Sequence, residues 1–163
     1  MIHIKQNSAG MKDPIPAIGC FFRSCGLIAE YKTQKSLTIE QLNGLWDWAK
    51  GTGRIDKNDC VRDSASIATR ALRILGDGGR FIEVGLFRDG ATSYYPAYDG
   101  GPLARADALI QKCSTSGPEG THYRVVTKKG LLIEDPHEPE IRIRGVLYSI
   151  LYAYEGGKDE RGS

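Results

Sequence analysis

The order of the predicted elements indicates an α+β domain in which N-terminal helices pack on a C-terminal antiparallel β-sheet. Apolar residues recur at helical spacing as far as about residue 75, and from about residue 80 they follow the pattern of strands. Helices grouped before strands are typical of this fold class. The 163 residues are enough for one domain with its own core. We therefore expect residues 1–155 to form a single domain, followed by a polar, glycine-rich and flexible tail over residues 156–163.

Three helices are predicted in the first half of the chain. Residues 7–18 contain two prolines and a glycine, and we expect them to form a loop that leads into Gly19-Cys20. The segment after this dipeptide carries a wide apolar stripe, which is typical of a largely buried helix. Thr38 and Gln41 have the spacing of a capping box at the start of the second helix. The three predicted helices span residues 21–31, residues 38–51 and about residues 64–75.

The second half of the chain carries the predicted strands, which span residues 80–87, 121–127, 131–135 and 145–154. Residues 102–112 are predicted to form a short helix between them. The segment Ser-Tyr-Tyr-Pro-Ala-Tyr at residues 93–98 is an aromatic loop. Two interpretations stay open for this loop: it packs on itself, or it forms a wall of a substrate cleft.

Composition and charge exclude several classes of function. The 22 basic and 20 acidic residues give a net charge of +2, which is too small to indicate binding to nucleic acid or to an anionic membrane surface. Because no run of about 18 apolar residues is present, we expect no membrane span. The amino terminus lacks the apolar segment of a secretory signal, so the four cysteines are expected to stay reduced. These features predict a cytoplasmic protein.

Cys20 is the first residue with a pattern that indicates chemistry. It follows a glycine and directly precedes the most apolar predicted helix. A helix N-terminus presents unpaired N–H groups and the positive end of the helix dipole, which favour a thiolate there. The same N–H groups can accept a developing oxyanion. A nucleophilic cysteine needs both effects and also a base.

His122 is the candidate base, and Asp135 on the next predicted strand is the candidate group that orients it. If Lys128 and Lys129 form a two-residue turn, His122 lies directly opposite Asp135, within reach of its carboxylate. If Lys129 and Gly130 form the turn instead, His122 lies opposite His137. We favour the first register because a carboxylate can select the tautomer of an imidazole and stabilise its cation.

The order of these motifs resembles that of papain-like cysteine peptidases. Gly-Cys precedes a buried helix, His-Tyr-x-Val-Val follows on a strand, and Asp-Pro follows a short hairpin. The closest resemblance is to the C39-like branch, and within it to uncharacterised bacterial and prophage-borne proteins with a Gly-Cys-(Phe/Tyr)-Phe motif. It covers about residues 4–155 and implies a papain-like fold. In such proteins the cysteine is the nucleophile, the histidine the general base and the aspartate its orienting partner, which implies these roles for Cys20, His122 and Asp135.

Two further residues follow from the resemblance. A glutamine upstream of the nucleophile usually completes the oxyanion hole, and Gln6 is the only glutamine before Cys20. Its spacing of 14 residues from Cys20 is longer than the papain pattern. Many C39-like proteins have Cys-Gly at the nucleophile, a dipeptide that Cys25-Gly26 also forms. We favour Cys20, because Cys25 would lie inside the helix, where the N–H groups are already bonded.

The resemblance implies a thiol hydrolase that cleaves a peptide or isopeptide bond in a peptide or protein substrate. Such a reaction needs no metal and no organic cofactor. Two alternatives stay open: a catalytically silent papain-like domain that binds a protein or a peptidoglycan fragment, and an acyltransferase that uses the same triad. Fold alone does not choose among them.

Overall fold

The computed structural model describes residues 2–88, 91–94, 105–116 and 120–157, and over these residues the α+β prediction is confirmed. Helices occupy the first half of the chain and strands the second. None of the described helices is long and apolar enough to cross a membrane. The elements are α1 (Ile15–Ile18), α2 (Cys20–Thr33), α3 (Ile39–Gly51), α4 (Ser64–Ile74), β1 (Arg80–Arg88), β2 (Ala91–Tyr94), β3 (Ala108–Thr115), β4 (Thr121–Val126), β5 (Leu132–Glu134) and β6 (Ile143–Glu155).

The strands form one antiparallel sheet in the order β2-β1-β6-β3-β4-β5. The helices α2 and α4 pack on one face of this sheet, α2 mainly against β4 and α4 against β1. Along β6, Ile150 and Tyr152 belong to the main core on the helical side, whereas Leu151 and Ala153 belong to a smaller apolar cluster on the other face. This alternation is the period of two that a strand requires.

Two of the predicted elements are wrong. Residues 108–112, expected at the end of a short helix, belong to β3, and residues 102–104 lie outside the described residues. Because β3 lies between β4 and β6, it is bonded on both sides, and this pairing determines its conformation. Residues 15–18, expected as part of a loop, form the single turn α1, with a proline in its first turn.

The capping box at the start of α3 is confirmed. The backbone N–H of Gln41 donates to the Thr38 hydroxyl, and the Thr38 N–H donates to the Gln41 side chain, at 3.1 and 3.0 Å. Each bond satisfies a donor that the helix start would otherwise leave unpaired.

A buried ion pair lies inside α2, where the sequence indicated only an apolar stripe. The guanidinium of Arg23 donates from Nη1 to the Glu30 carboxylate at 2.5 Å, and both side chains are fully buried. Glu30 also bonds the His3 ring at 3.1 Å, and the Arg23 Nε–H donates to the backbone carbonyl of Ile4 at 2.7 Å. The pair therefore attaches the N-terminal segment to α2.

We expect Glu30→Leu to lower the free energy of unfolding by about 3–5 kcal/mol, because it leaves the Arg23 charge buried and unpaired. The double variant Arg23→Met/Glu30→Leu should cost less than this single change. The measurement is urea unfolding of each variant.

The matched control is Glu155→Gln, which removes the exposed ion pair with Arg80. Its cost should be below about 1 kcal/mol. A loss in Glu30→Leu no larger than that of this control would show that the buried pair does not hold the fold.

Candidate functional site

Cys20 is the first residue of α2, which begins one residue earlier than the sequence indicated, and Gly19 is the N-cap. A Cβ atom at Gly19 would lie 2.6 Å from the backbone oxygen and 2.9 Å from the Cα of Ile15, so only glycine fits between α1 and α2. The tight turn lets α1 and α2 follow each other with one residue between them. It leaves the first N–H groups of α2 without partners inside the helix, next to the Cys20 thiol.

His122 lies on β4 and bonds Asp135, which directly follows β5. The His122 Nε2 lies 2.9 Å from the Asp135 Oδ1, and both residues are about 95% buried. Two backbone N–H groups also donate to the Asp135 carboxylate, from His137 at 2.8 Å and from Ile141 at 3.0 Å. Asp135 is thus held in place by three bonds.

The predicted pairing register of this hairpin is wrong, although the predicted His–Asp contact is present. The turn contains three residues, with Gly130 in the left-handed region at φ +81°. The N–H of Thr127 donates to the Leu131 carbonyl at 2.8 Å, which is typical of a type I turn followed by a bulge. A second irregularity pairs Val125 with Glu134.

These two shifts displace β5 by two residues from the expected register at Val125. If the pairing of Val125 with Glu134 continued along both strands, His137 would lie opposite His122. The regular strand ends at Glu134, however, and the chain then turns through Pro136. The His122–Asp135 contact therefore comes from the turn after β5 and not from cross-strand pairing.

The electrostatics of the pair favour a charged imidazole. Burial alone would lower the pKa of His122, but its bond to Asp135 and the proximity of Cys20 outweigh this effect and raise the pKa from 6.5 to about 9. Burial likewise opposes ionisation of Asp135, yet the bonds from His122 and from the two N–H groups lower the pKa of its carboxyl. Because Asp135 occupies Nε2, Nδ1 is the ring nitrogen left for Cys20.

The other cysteines have surroundings unlike that of Cys20. Cys25 is fully buried in the core, and burial raises its pKa far above the usual range. Burial also raises the pKa of Cys113. Cys60 is exposed and lies in the loop after α3, not at the start of a helix.

Gln6 lies in the same cleft as Cys20 and His122. Its backbone N–H donates to the Pro136 carbonyl at 2.6 Å, and its side-chain Nε2 donates to the Pro16 carbonyl at 3.3 Å. Through its backbone and its side chain together, Gln6 therefore joins the segment after Asp135 to α1, which precedes Cys20. Its Oε1 is buried without a hydrogen-bond partner.

The open cleft at the site has a volume of about 760 Å³. One wall comes from α1, α2 and the loop after α3, and the other from β4 and the turn after β5. Apolar and polar groups alternate along it, among them Ile18, Phe21, Asn58, Cys60, Val61, Thr121, Tyr123, His137 and Ile141. Ser93 and Tyr94, expected in an aromatic loop, instead end β2, where pairing with β1 makes them a strand, and residues 95–98 lie outside the described residues.

Sequence reasoning missed the groups that hold the N-terminal segment against Asp135. The Lys5 ammonium donates to the Asp135 backbone carbonyl at 2.7 Å and also binds the Glu134 carboxylate. Tyr31 donates to the same carboxylate at 2.6 Å. Their sequence separation exceeds 100 residues, and no local pattern indicates contacts of that range.

Within the described ranges, no three or more His, Cys, Asp or Glu side chains are grouped so that they could hold a metal ion. Comparisons with protein-family models, curated proteins and solved structures find no match to this chain. Interpretation of the site therefore rests on its geometry.

We expect iodoacetamide at about pH 6 to label Cys20 well before Cys60, Cys113 and Cys25, because a helix start and a neighbouring imidazole favour reaction at a cysteine sulfur. Peptide mapping after short exposure measures the order. Cys60 is the decisive comparison because it is exposed. Faster labelling of Cys60 would contradict the activation of Cys20.

We expect the His122 ring to titrate near pH 9 in the folded protein, as followed by NMR of its ring C–H groups. A raised pKa means that His122 contributes stability that is complete below pH 6.5 and is lost as the pH rises through about 9. Asp135→Asn should lower this pKa, since the carboxylate charge that favours the cation is removed.

The matched control for this titration is His137→Ala. His137 binds Asp135 through its backbone N–H, so removal of its ring should leave the His122 titration in place. A shift in His137→Ala as large as that in Asp135→Asn would assign the second ring the role given to Asp135.

Proposed function

We propose that this protein is a papain-like cysteine hydrolase that cleaves a peptide or isopeptide amide bond. The observation that carries the proposal is the position of His122, whose imidazole is bonded to the Asp135 carboxylate and lines one cleft with Cys20 at the start of α2. A nucleophile, a base and a group that orients the base are the parts that covalent acyl chemistry needs.

In the first step, the Cys20 thiolate attacks the carbonyl carbon of the scissile amide. The carbon–sulfur bond forms while the electron pair of the carbonyl double bond moves to oxygen. The N–H groups at the start of α2 bind this oxyanion, and Gln6, which lines the same cleft and has a second Nε2 proton, supplies a side-chain donor. The charge develops where a helix N-terminus favours negative charge.

In the second step, the oxyanion re-forms the carbonyl double bond, the carbon–nitrogen bond breaks, and the His122 imidazolium donates its Nδ1 proton to the leaving amine. The acyl group remains on Cys20 as a thioester. Neutral His122 then removes a proton from a water molecule, which attacks the thioester and releases a carboxylic acid and the Cys20 thiolate. His122 retains that proton as imidazolium, and the starting ion pair is restored.

Asp135 acts through His122. Its carboxylate accepts from Nε2 and so directs Nδ1 to Cys20 in every step. Its charge stabilises the imidazolium that donates to the leaving amine. The two backbone N–H donors and the Lys5 contact at residue 135 keep this carboxylate in place while the imidazole exchanges protons.

The fold supports a papain-like assignment. The proposed nucleophile begins a buried helix, and that helix packs on the sheet beside the strand that carries the proposed base. We also propose a cytoplasmic location. All four cysteines are free, and a reducing compartment keeps Cys20 in the thiol form that the reaction requires.

We expect Cys20→Ala to abolish hydrolysis of peptide thioesters with little change in the melting temperature, because Cys20 lies in the cleft and fills little core volume. Cys25→Ala should lower the free energy of unfolding by about 1 kcal/mol and keep activity, since it truncates a buried core side chain. A thioester assay and a thermal melt on both variants test the assignment.

Lost activity with an unchanged melt in Cys25→Ala would instead assign the nucleophile to the Cys-Gly dipeptide. If the protein binds the thioester but turns it over only when an amine acceptor is added, the reaction is acyl transfer and not hydrolysis. Binding without any turnover by the unsubstituted protein would favour a silent binding domain.

A further inference from the structure

A row of alternating tyrosines and cations crosses the helical face of the sheet next to the site. The row consists of Tyr123 on β4, Lys112 on β3, Tyr148 on β6 and Arg88 on β1. The Lys112 ammonium lies 5.6 Å from the Tyr123 ring centroid and 5.5 Å from that of Tyr148. The Arg88 guanidinium lies 5.2 Å from the Tyr148 centroid. We call these four side chains the cationic row.

Strand register accounts for this alignment. Lys112 pairs directly with Tyr123 on one side and with Tyr148 on the other. The face is the one that carries the helices, because Ile150, two residues after Tyr148, belongs to the core beneath them. Lys112 and the two tyrosines are half-buried and Arg88 is exposed, so the row lies where a ligand can reach it.

The row begins at the proposed active site. Tyr123 stacks on Phe21 with ring centroids 4.1 Å apart and an interplanar angle of 8°. Phe21 directly follows Cys20, and both rings line the cleft that holds Cys20 and His122. A substrate bound at Cys20 that extends past Phe21 would therefore meet Lys112 next.

Among the described residues, no carboxylate forms an ion pair with Lys112 or Arg88. Lys112 is half-buried, a position in which a charge normally has a partner. The Tyr123 hydroxyl is neutral, because burial and the neighbouring Tyr148 hydroxyl raise its pKa. Within the part of the chain that the structure describes, the row therefore combines two cations with two tyrosine hydroxyls and contains no anion.

We propose that the cationic row binds an acidic segment of the peptide substrate, with one carboxylate at Lys112 and another at Arg88. This inference rests on the proposed function, because it describes the substrate of the same cleft. Each ammonium or guanidinium would bind a carboxylate directly, while the tyrosine rings flank the backbone of the bound segment.

The spacing of the two cations indicates a sequence pattern. They lie two strands apart, which is about 10 Å at the usual strand separation of about 4.8 Å. A polyproline II peptide has three residues per turn and rises about 3.1 Å per residue, so its residues i and i+3 share one side about 9 Å apart. The row therefore fits a Glu-x-x-Glu segment.

Binding and cleavage are measured separately. The binding probe is a fluorescein-labelled peptide, Gly-Gly-Glu-Pro-Pro-Glu-Gly-Gly, and its analogue with both Glu replaced by Gln, titrated by anisotropy against the full chain carrying Cys20→Ala. We expect the Glu peptide to bind about tenfold more tightly at low salt, as two partly exposed ion pairs permit. The difference should fall as salt is added.

Lys112→Met and Arg88→Gln should each reduce the preference for the Glu peptide. The matched control is Lys32→Met, because Lys32 also lies over a tyrosine ring, that of Tyr154 at 4.2 Å, but outside the cationic row. Equal binding of the two peptides, or a preference that survives in both row variants, would overturn the inference. Tighter binding of oligo-dT than of the Glu peptide would also overturn it, because the row would then favour a nucleic acid over an acidic peptide.

Cleavage by the unsubstituted protein separates this inference from the proposed function. Thioesters that carry the Glu-x-x-Glu segment should show a lower KM than their Gln analogues, with kcat little changed, since the row lies away from the reacting atoms. Turnover without that difference would overturn the cationic row alone. A Glu preference in binding, without any turnover, would overturn the hydrolase alone and support the row.

Discussion

The contact between the start of α2 and β4 is the constraint on which the site depends, because the helix carries Cys20 and the strand carries His122. The stack of Phe21 on Tyr123 sets this contact with a broad and rigid apolar surface. Gly19 lets the chain approach α2 closely enough for the helix to begin at Cys20. A displacement of either element would separate the Cys20 thiol from the His122 imidazole, although His122 would keep its bond to Asp135.

The buried polar groups of α2 extend this constraint to the N-terminal segment. Through His3 and the Ile4 carbonyl, the Arg23–Glu30 pair holds that segment on the helix. The next residues then bind the chain around Asp135, from Lys5 to its carbonyl and from the Gln6 backbone to Pro136. Burial of the two charges costs free energy, and their bonds fix the position of the N-terminal segment on the helix. The N-terminal segment thus connects the buried ion pair of α2 to the chain that carries the Asp135 carboxylate.

Much of the fold could be predicted, and the failures have physical reasons. The capping box and the apolar stripe of α2 depend on residues three or four apart, so they can be recognised locally. The segment of β3 could not, because its conformation depends on pairing with two strands that are distant in sequence. For the site, spacing brought His122 and Asp135 into one hairpin, but it predicted the wrong register, since a three-residue turn and a bulge changed the pairing.

The sequence by itself determined which residues are chemically suited to the site: a cysteine at a helix start, a histidine on a strand and an aspartate just beyond the next strand. These features depend on helix capping, on periodicity and on short turns, all of which act within a few residues. Only the tertiary structure decided that the three residues meet, that Lys5 and Gln6 support them, and that Lys112 and Arg88 lie in one row. Such contacts join residues up to 130 positions apart, and they form only when α2 packs on the sheet and buries the apolar surfaces of both.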